Sequence, residues 1–210
     1  MNTKLTQDLY IEVHNDMINK YGFTAKSLWG SRESQYVRFN KLREILLTEN
    51  NYSVMDLGCG LCDFYEFLNS KGALNLRYTG FEINEKFYNA AKTRFPELDI
   101  RNGSLELLKT QENFDYVIAS GIYNLGSSSE DLIELFVSQF KALYDKINIG
   151  FAVNFLSIHS EQPDSTSIYH DPINVFKKCL TNFSKYVQID QTYLPNDFTV
   201  FVYKNKQDDF

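Results

Sequence analysis

The sequence predicts an α/β fold, with one mostly parallel sheet covered by helices on both faces. From residue 52 onward, short apolar segments alternate with amphipathic segments of helical period. The first apolar segment runs directly into a glycine-containing turn that opens a helix. The last two are separated by the short turn at residues 194–197, so we expect that pair to be antiparallel. A chain of 210 residues is expected to form one domain.

Seven strands and six helices follow from these patterns. The strands are predicted at Tyr52–Leu57, Leu76–Phe81, Leu98–Arg101, Phe114–Ser120, Ile147–Leu156, Tyr186–Tyr193 and Phe198–Tyr203. Five helices are predicted over residues 5–22, 64–70, 85–94, 128–144 and 172–183. The sixth follows the loop at residues 29–31, and its apolar face runs from Tyr36 to Leu47. In the first helix Leu9, Val13, Met17 and Ile18 recur at helical spacing. Residues 1–50 are therefore predicted to form an N-terminal helical lid on a core formed by residues 51–205.

Composition narrows the class of protein. The formal net charge is −6, which does not attract phosphate backbones, so nucleic acid is not an expected partner. No apolar run approaches the roughly 20 residues that span a bilayer, and residues 1–10 lack the apolar core of a signal peptide. Three cysteines do not suggest a disulfide framework. We therefore expect a soluble cytoplasmic protein without a membrane partner, whose oligomeric state the sequence leaves open.

The most informative segment is Asp56-Leu57-Gly58-Cys59-Gly60, a strand end followed by a glycine turn. Glycine is needed where the backbone adopts positive φ or approaches a ligand closely. Glu82 lies at the end of the second strand, about twenty residues further on, where a carboxylate can accept hydrogen bonds from both hydroxyls of a ribose. Since open α/β sheets bind ligands at the carboxyl ends of their strands, this combination indicates a nucleoside site.

The charges of the segment favour one nucleoside cofactor over another. A dinucleotide site needs a small residue where this chain has Asp63. Asp56, just before the first glycine, would repel a pyrophosphate but attract a sulfonium carrying an ammonium group. The electrostatics therefore favour S-adenosylmethionine over NAD.

Asp56-Leu57-Gly58-Cys59-Gly60 resembles motif I of the class I S-adenosylmethionine-dependent methyltransferases, and Phe114–Ser120 is similar to their fourth-strand motif. The resemblance implies a Rossmann-like, seven-stranded sheet of order 3-2-1-4-5-7-6. Two residues depart from the family pattern. Cys62 stands where the third glycine of the family loop often lies, and Ser104 stands where an aspartate often contacts the adenine. The candidate cofactor-binding residues are Asp56, Gly58, Cys59, Gly60, Glu82, Ile83, Ser104, Leu105, Ser120 and Arg38.

The expected reaction is transfer of a methyl group to an O, N or C nucleophile of a small polar molecule. Loops that follow the carboxyl ends of the strands should form the acceptor pocket. Their proton-handling and polar residues supply the candidates. The candidate catalytic residues are Tyr123, His170 and His159, and the candidate substrate-binding residues are Trp29, Asn124, Tyr169 and Asn196. No metal is expected, because the chain has no second cysteine pair or spaced histidine pair.

Two other functions stay open at this point: an NAD-dependent oxidoreductase and a non-catalytic nucleoside-binding module. Cys59 and Cys62 also form the C-x-x-C spacing of redox pairs, although redox chemistry would leave the flanking glycines and Glu82 unexplained. His14, on the first helix, is expected at the surface. Arg38 is expected either at the surface or over the cofactor carboxylate.

Overall fold

The computed structural model describes residues 3–28, 30–46, 51–72, 76–103 and 112–206. They form seven strands and six α-helices. The strands are β1 (Tyr52–Leu57), β2 (Leu76–Glu82), β3 (Asp99–Asn102), β4 (Phe114–Ser120), β5 (Ile147–Leu156), β6 (Tyr186–Asp190) and β7 (Asp197–Tyr203). The helices are α1 (Thr3–Tyr21), α2 (Arg32–Leu42), α3 (Asp63–Ser70), α4 (Glu85–Arg94), α5 (Ser129–Leu143) and α6 (Pro172–Asn182).

The strands form one sheet of order β3-β2-β1-β4-β5-β7-β6, which confirms the predicted topology. The five strands β1–β5 pair in parallel, whereas β7 is antiparallel to both β5 and β6. Leu156, the last residue of β5, is the register partner of Asp197, the first residue of β7. The β6–β7 turn therefore lies at the carboxyl edge of the parallel strands, together with the loops that follow them.

Helices cover both faces of the sheet because buried side chains alternate along the central strands. In β4, Val117 and Ala119 belong to the apolar cluster that includes side chains of α5 and α6. Tyr116 and Ile118 belong to the opposite cluster, which includes side chains of α2 and α3. A continuous apolar strand of this kind is typical of a central position in a doubly covered sheet.

Two element boundaries have local causes, and the second of them differs from the prediction. The second helix begins at Arg32, directly after the predicted loop, because the Ser31 side chain caps it by accepting from the Ser34 N–H at 3.1 Å. Strand β6 ends at Asp190, three residues early. The Asp190 carboxylate accepts from both the N–H and the hydroxyl of Thr192, at 2.7 and 2.6 Å, and this turns the chain out of the sheet.

Within the described ranges, no helix combines the length and apolarity needed to cross a bilayer. The same part of the chain contains no group of three or more His, Cys, Asp and Glu residues arranged to hold a metal ion.

Candidate cofactor and acceptor site

The turn between β1 and α3 needs left-handed backbone at three positions. Gly58 and Gly60 have φ of +75° and +54°, and Cys62 has φ of +58°. A glycine adopts this conformation without steric cost, whereas a cysteine pays about 1–2 kcal/mol. Cys62 is completely buried and precedes the first residue of α3. The position where the chain departs from the glycine pattern thus keeps the backbone conformation that glycine favours.

Three consecutive N–H groups of this turn are satisfied by the protein itself. Those of Gly58 and Cys59 both donate to the carbonyl of Phe81, at 2.8 and 3.0 Å. The Gly60 N–H donates to the Glu82 carboxylate at 2.8 Å. Dinucleotide sites bind pyrophosphate through free N–H groups at such a turn. With these three donors already used, the turn fits a cofactor that presents no phosphate to it.

Glu82 is fixed at the end of β2 by two backbone donors, one to each oxygen. Its Oε2 accepts from Gly60 and its Oε1 accepts from the Asn84 N–H at 2.7 Å. The side chain is 1% exposed, and burial raises its pKa to about 7. Each oxygen keeps acceptor capacity beyond these single bonds. The carboxylate is therefore held in one orientation and can still accept hydrogen bonds from a diol.

Asp56 lies near the end of β1 on the α2 side of the sheet, and it lines a large cavity. Its Oδ2 accepts from the Tyr78 hydroxyl at 2.5 Å. Burial raises the pKa of Asp56 to about 7, and the Tyr78 hydrogen bond opposes that rise. A cation nearby would favour the ionised form, so the site suits the positively charged ligand inferred from the sequence.

That cavity has a volume of about 940 Å³ and opens at the carboxyl edge of the sheet. It brings together nine of the residues predicted to bind cofactor or substrate. They are Asp56, Gly58, Cys59, Gly60, Ser120, Arg38, Asn124, Tyr169 and Asn196. A smaller apolar cavity of about 90 Å³ lies beside it, and its lining includes Ile83, Gly103 and Ile122. Together the two cavities include both the glycine turn and the loop after β4.

The three predicted catalytic residues do not line the large cavity. Tyr123 is 1% exposed, and its hydroxyl donates to Gln139 at 2.6 Å beside the smaller cavity. His159 is exposed in the loop after β5. This placement does not support an acid–base role for either residue.

His170 is completely buried and connects distant segments of the chain. Its Nε2 lies 2.7 Å from the carbonyl of Tyr123, and its Nδ1 lies 2.9 Å from the hydroxyl of Ser129. Burial lowers the pKa of His170, so the ring is neutral near pH 7. The geometry gives His170 a positioning role: it ties the loop after β4 to the start of α5.

Arg38 does not present a free cation to the cavity. Its Nε and Nη2 donate to the two carboxylate oxygens of Asp197 at 2.6 and 2.7 Å, and the two side chains are 9% and 2% exposed. The pair joins α2 to the start of β7. Of the two positions expected for Arg38, the structure has it buried beside the large cavity, where Asp197 neutralises its charge.

Three predicted site residues, Trp29, Ser104 and Leu105, lie outside the described residues. Conversely, α1 contributes residues that the sequence interpretation missed. Tyr10 lines both cavities, and burial together with the nearby Glu82 carboxylate raises the pKa of its phenol. His14, expected at the surface, is only 9% exposed and lines the large cavity, with its Nδ1 2.9 Å from the Tyr10 carbonyl. Their four-residue spacing indicates that both side chains lie on one face of the helix, but it does not indicate which part of the protein that face contacts.

Comparisons with known proteins agree with this geometry. Residues 54–144 match a family model described as "Methyltransferase domain". The chain is 29% identical over 159 residues to "Putative methyltransferase Rv1506c" of Mycobacterium tuberculosis, an alignment that covers 73% of this chain and 93% of that protein.

Solved structures share the fold at low sequence identity. Magnesium protoporphyrin IX methyltransferase from Synechocystis PCC 6803, solved with bound S-adenosylhomocysteine, has a TM-score of 0.65 at 13% identity, covering 97% of this chain and 100% of that one. Human N-acetylserotonin methyltransferase in complex with S-adenosylmethionine has a TM-score of 0.60 at 13% identity, covering 98% of this chain and 68% of that one.

The family match begins inside β1 and includes the glycine turn and Glu82, and the whole sheet has the order that the resemblance implied. Residues 54–144 therefore match a methyltransferase domain, and the chain has the fold of class I methyltransferases that were solved with S-adenosylmethionine or S-adenosylhomocysteine bound.

Proposed function

We propose that the protein transfers the methyl group of S-adenosylmethionine to an O, N or C nucleophile of a small molecule held in the large cavity. The observation that carries this proposal is the cavity itself. It has a volume of about 940 Å³, begins at the glycine turn and reaches the loop after β5 and the β6–β7 turn. The part of the cavity beyond the glycine turn is lined by loop side chains and is suited to a small acceptor. The net charge of −6 does not favour a nucleic acid.

The cofactor residues follow from what each side chain can do. Glu82 would hold the ribose hydroxyls, since its carboxylate is already oriented by Gly60 and Asn84. Asp56 would lie near the ammonium group, where opposite charge stabilises its ionised form. Gly58 and Gly60 would let the cofactor approach the backbone. Ile83, which lines the smaller cavity, would contact the adenine ring.

The cofactor supplies an activated methyl group, so the protein mainly has to align the acceptor and exclude water. Asn124, Tyr169 and Asn196 line the cavity and would orient the acceptor. Helices α1 and α2 both contribute to the cavity wall and would restrict solvent access. Arg38 and His170 support this wall through their buried contacts with Asp197 and Tyr123, and we propose both as positioning residues.

The proposal is tested by incubating the purified protein with methyl-labelled S-adenosylmethionine and a cell extract, then separating small molecules from protein and nucleic acid. We expect the label in the small-molecule fraction, and much less of it there when Glu82→Gln replaces the wild type at a cofactor concentration near the wild-type dissociation constant. Label recovered only in nucleic acid or protein would overturn the assignment. Titration with S-adenosylhomocysteine shows independently that the preparation binds its cofactor.

A further inference from the structure

The outer face of α1 forms an apolar stripe that the core does not use. Leu9, Val13, Met17 and Tyr21 recur every four residues, which places them along one side of the helix. All four line the large cavity. Leu9 and Met17 are each 39% exposed and Tyr21 is 36% exposed, so more than a third of each of these residues faces open space.

The docking of α1 is provided by other residues. Ile18 is 8% exposed and packs in a cluster with Leu61 and Phe87. His14 meets the edge of the Phe87 ring, with the ring centres 5.8 Å apart. Because these contacts hold the helix in place, the stripe is not required for its attachment. It is apolar surface presented to the cavity.

The charged side chains that line the same cavity are accounted for. Arg38 is paired with Asp197, and Asp63 accepts from Gln35 and Arg94 at 2.9 and 2.5 Å. Lys26 is exposed, so water solvates its charge.

Asp164 and Asp56 complete this set. The Asp164 carboxylate accepts from the N–H groups of Thr166 and Ser167 and from the Tyr169 hydroxyl, at 2.9, 2.8 and 3.0 Å. Asp56 belongs to the proposed cofactor site. Each charged side chain that lines the cavity is therefore paired with or hydrogen-bonded to another protein group, solvated by water, or assigned to the proposed cofactor site.

Neutral amides supply the remaining polar groups at the acceptor end. Asn124, Asn196 and Gln162 line the cavity. The side chains of Asn196 and Gln162 form no hydrogen bond to another described residue, and Asn124 uses its Oδ1 for the Leu156 N–H at 3.4 Å. Amides recognise uncharged hydroxyl, carbonyl or amide groups by donating and accepting hydrogen bonds.

We propose that the methyl acceptor is an uncharged amphipathic small molecule. Its aliphatic or aromatic body lies on the α1 stripe, and its neutral hydrogen-bonding group lies at Asn124, Gln162 and Asn196. This inference rests on the proposed function, and it differs from the small polar acceptor expected from the sequence in giving the molecule an apolar body. Burial of an apolar body on an exposed stripe is favourable in proportion to the area removed from water.

The inference is tested with two matched series of probes, 4-alkylphenols and 4-alkylbenzoates from ethyl to octyl, titrated into protein saturated with S-adenosylhomocysteine at pH 7. Phenols are neutral at this pH and benzoates are charged. We expect phenol affinity to rise about three- to fourfold per methylene, the factor expected for a buried CH₂. Benzoates of equal length should bind at least about tenfold more weakly. A buried carboxylate needs a cation to pair with, and the cations that line this cavity are already paired with carboxylates or solvated.

The double variant Leu9→Gln/Met17→Gln should at least halve the dependence on chain length while leaving the affinity for S-adenosylhomocysteine unchanged. Both residues are partly exposed, so the fold should tolerate the changes, and thermal unfolding checks this. The matched control is Ile173→Gln, since Ile173 is 58% exposed on α6 and away from both cavities.

Three results would each overturn the inference. Benzoates and phenols could bind equally well, affinity could be independent of chain length, or the double variant could keep the wild-type dependence on chain length. If S-adenosylhomocysteine binds in these cases, the proposed function survives. Failure of wild-type protein to bind S-adenosylhomocysteine would overturn both.

Discussion

Gly60 and Glu82 are joined by a hydrogen bond of 2.8 Å from the backbone N–H of the first to the carboxylate of the second, across 22 residues of sequence. The bond connects the turn after β1 to the end of β2, so the backbone of the glycine turn and the proposed ribose ligand are positioned together. A change in either residue should therefore affect cofactor binding through the other.

Replacing Glu82 with Gln keeps the shape of the side chain and removes its charge. Hydrogen bonds to a charged group contribute about 1.5–3 kcal/mol each. We expect the dissociation constant for S-adenosylhomocysteine, measured by isothermal titration calorimetry, to rise at least about tenfold. Glu85→Gln, on the first turn of α4, is the control and should bind like the wild type. Equal loss in both variants would remove the ribose role from Glu82.

The role of Gly58 in the glycine turn can be tested against Gly72, a second glycine with positive φ whose Cβ position is not crowded. A Cβ at Gly58 would lie 2.3 Å from Ile122 Cγ2, whereas Gly72, with φ of +83°, has nothing within 4 Å. Gly58→Ala and Gly72→Ala should each lose about 1 kcal/mol of stability from left-handed strain, and the crowded Gly58 somewhat more. Only Gly58→Ala should abolish S-adenosylhomocysteine binding. Equal cofactor affinity in the two variants would contradict the site.

Cofactor affinity should depend on pH because burial raises the pKa of both Asp56 and Glu82 to about 7. The ligand favours the ionised carboxylates, so binding is strongest above pH 7 and weakens as the pH falls through it. Between pH 8 and pH 6 the loss should be about tenfold for each carboxylate that must ionise. Calorimetry in buffers of different ionisation enthalpy should show proton release at pH 6. Asp56→Asn should remove one of these two tenfold losses and leave the one due to Glu82, and a flat wild-type profile would refute the charge assignment.

The Arg38–Asp197 pair should matter far more to stability than an exposed pair. Asp197→Ala removes the carboxylate that accepts two hydrogen bonds from the buried Arg38 guanidinium, and we expect a loss of about 3–5 kcal/mol in the free energy of unfolding. Asp99→Ala breaks the pair with Arg101, whose side chains are 46% and 29% exposed, and should cost about 0–1 kcal/mol. Urea unfolding measures both. Similar losses in the two variants would show that the buried pair does not anchor α2.

The sequence predicted the parts of the site that depend on local pattern. The turn from Asp56 to Gly60 and the position of Glu82 follow from a strand, a glycine spacing and a second strand, and neighbouring parallel strands bring them together. The role of His170 could not be predicted in this way. Its partner Tyr123 lies 47 residues away, and only the packing of α5 and the loop after β5 brings the two into contact.

For helix α1 the sequence predicted the helix but not what its apolar face contacts. The spacing of Leu9, Val13 and Met17 correctly predicted a helix, but an apolar stripe packs equally well against a core or along a ligand cavity. The choice is made by Ile18 and His14, which dock the helix with the stripe turned to the cavity.

A crystal structure with S-adenosylhomocysteine tests the central claim, that Glu82 and the glycine turn hold the cofactor. The account predicts both ribose hydroxyls within hydrogen-bonding distance of the Glu82 carboxylate, about 2.5–3.0 Å, and the amino group of the ligand on the Asp56 side of the turn. A ribose bound away from Glu82, or a ligand that leaves the turn between Gly58 and Gly60 uncontacted, would contradict it.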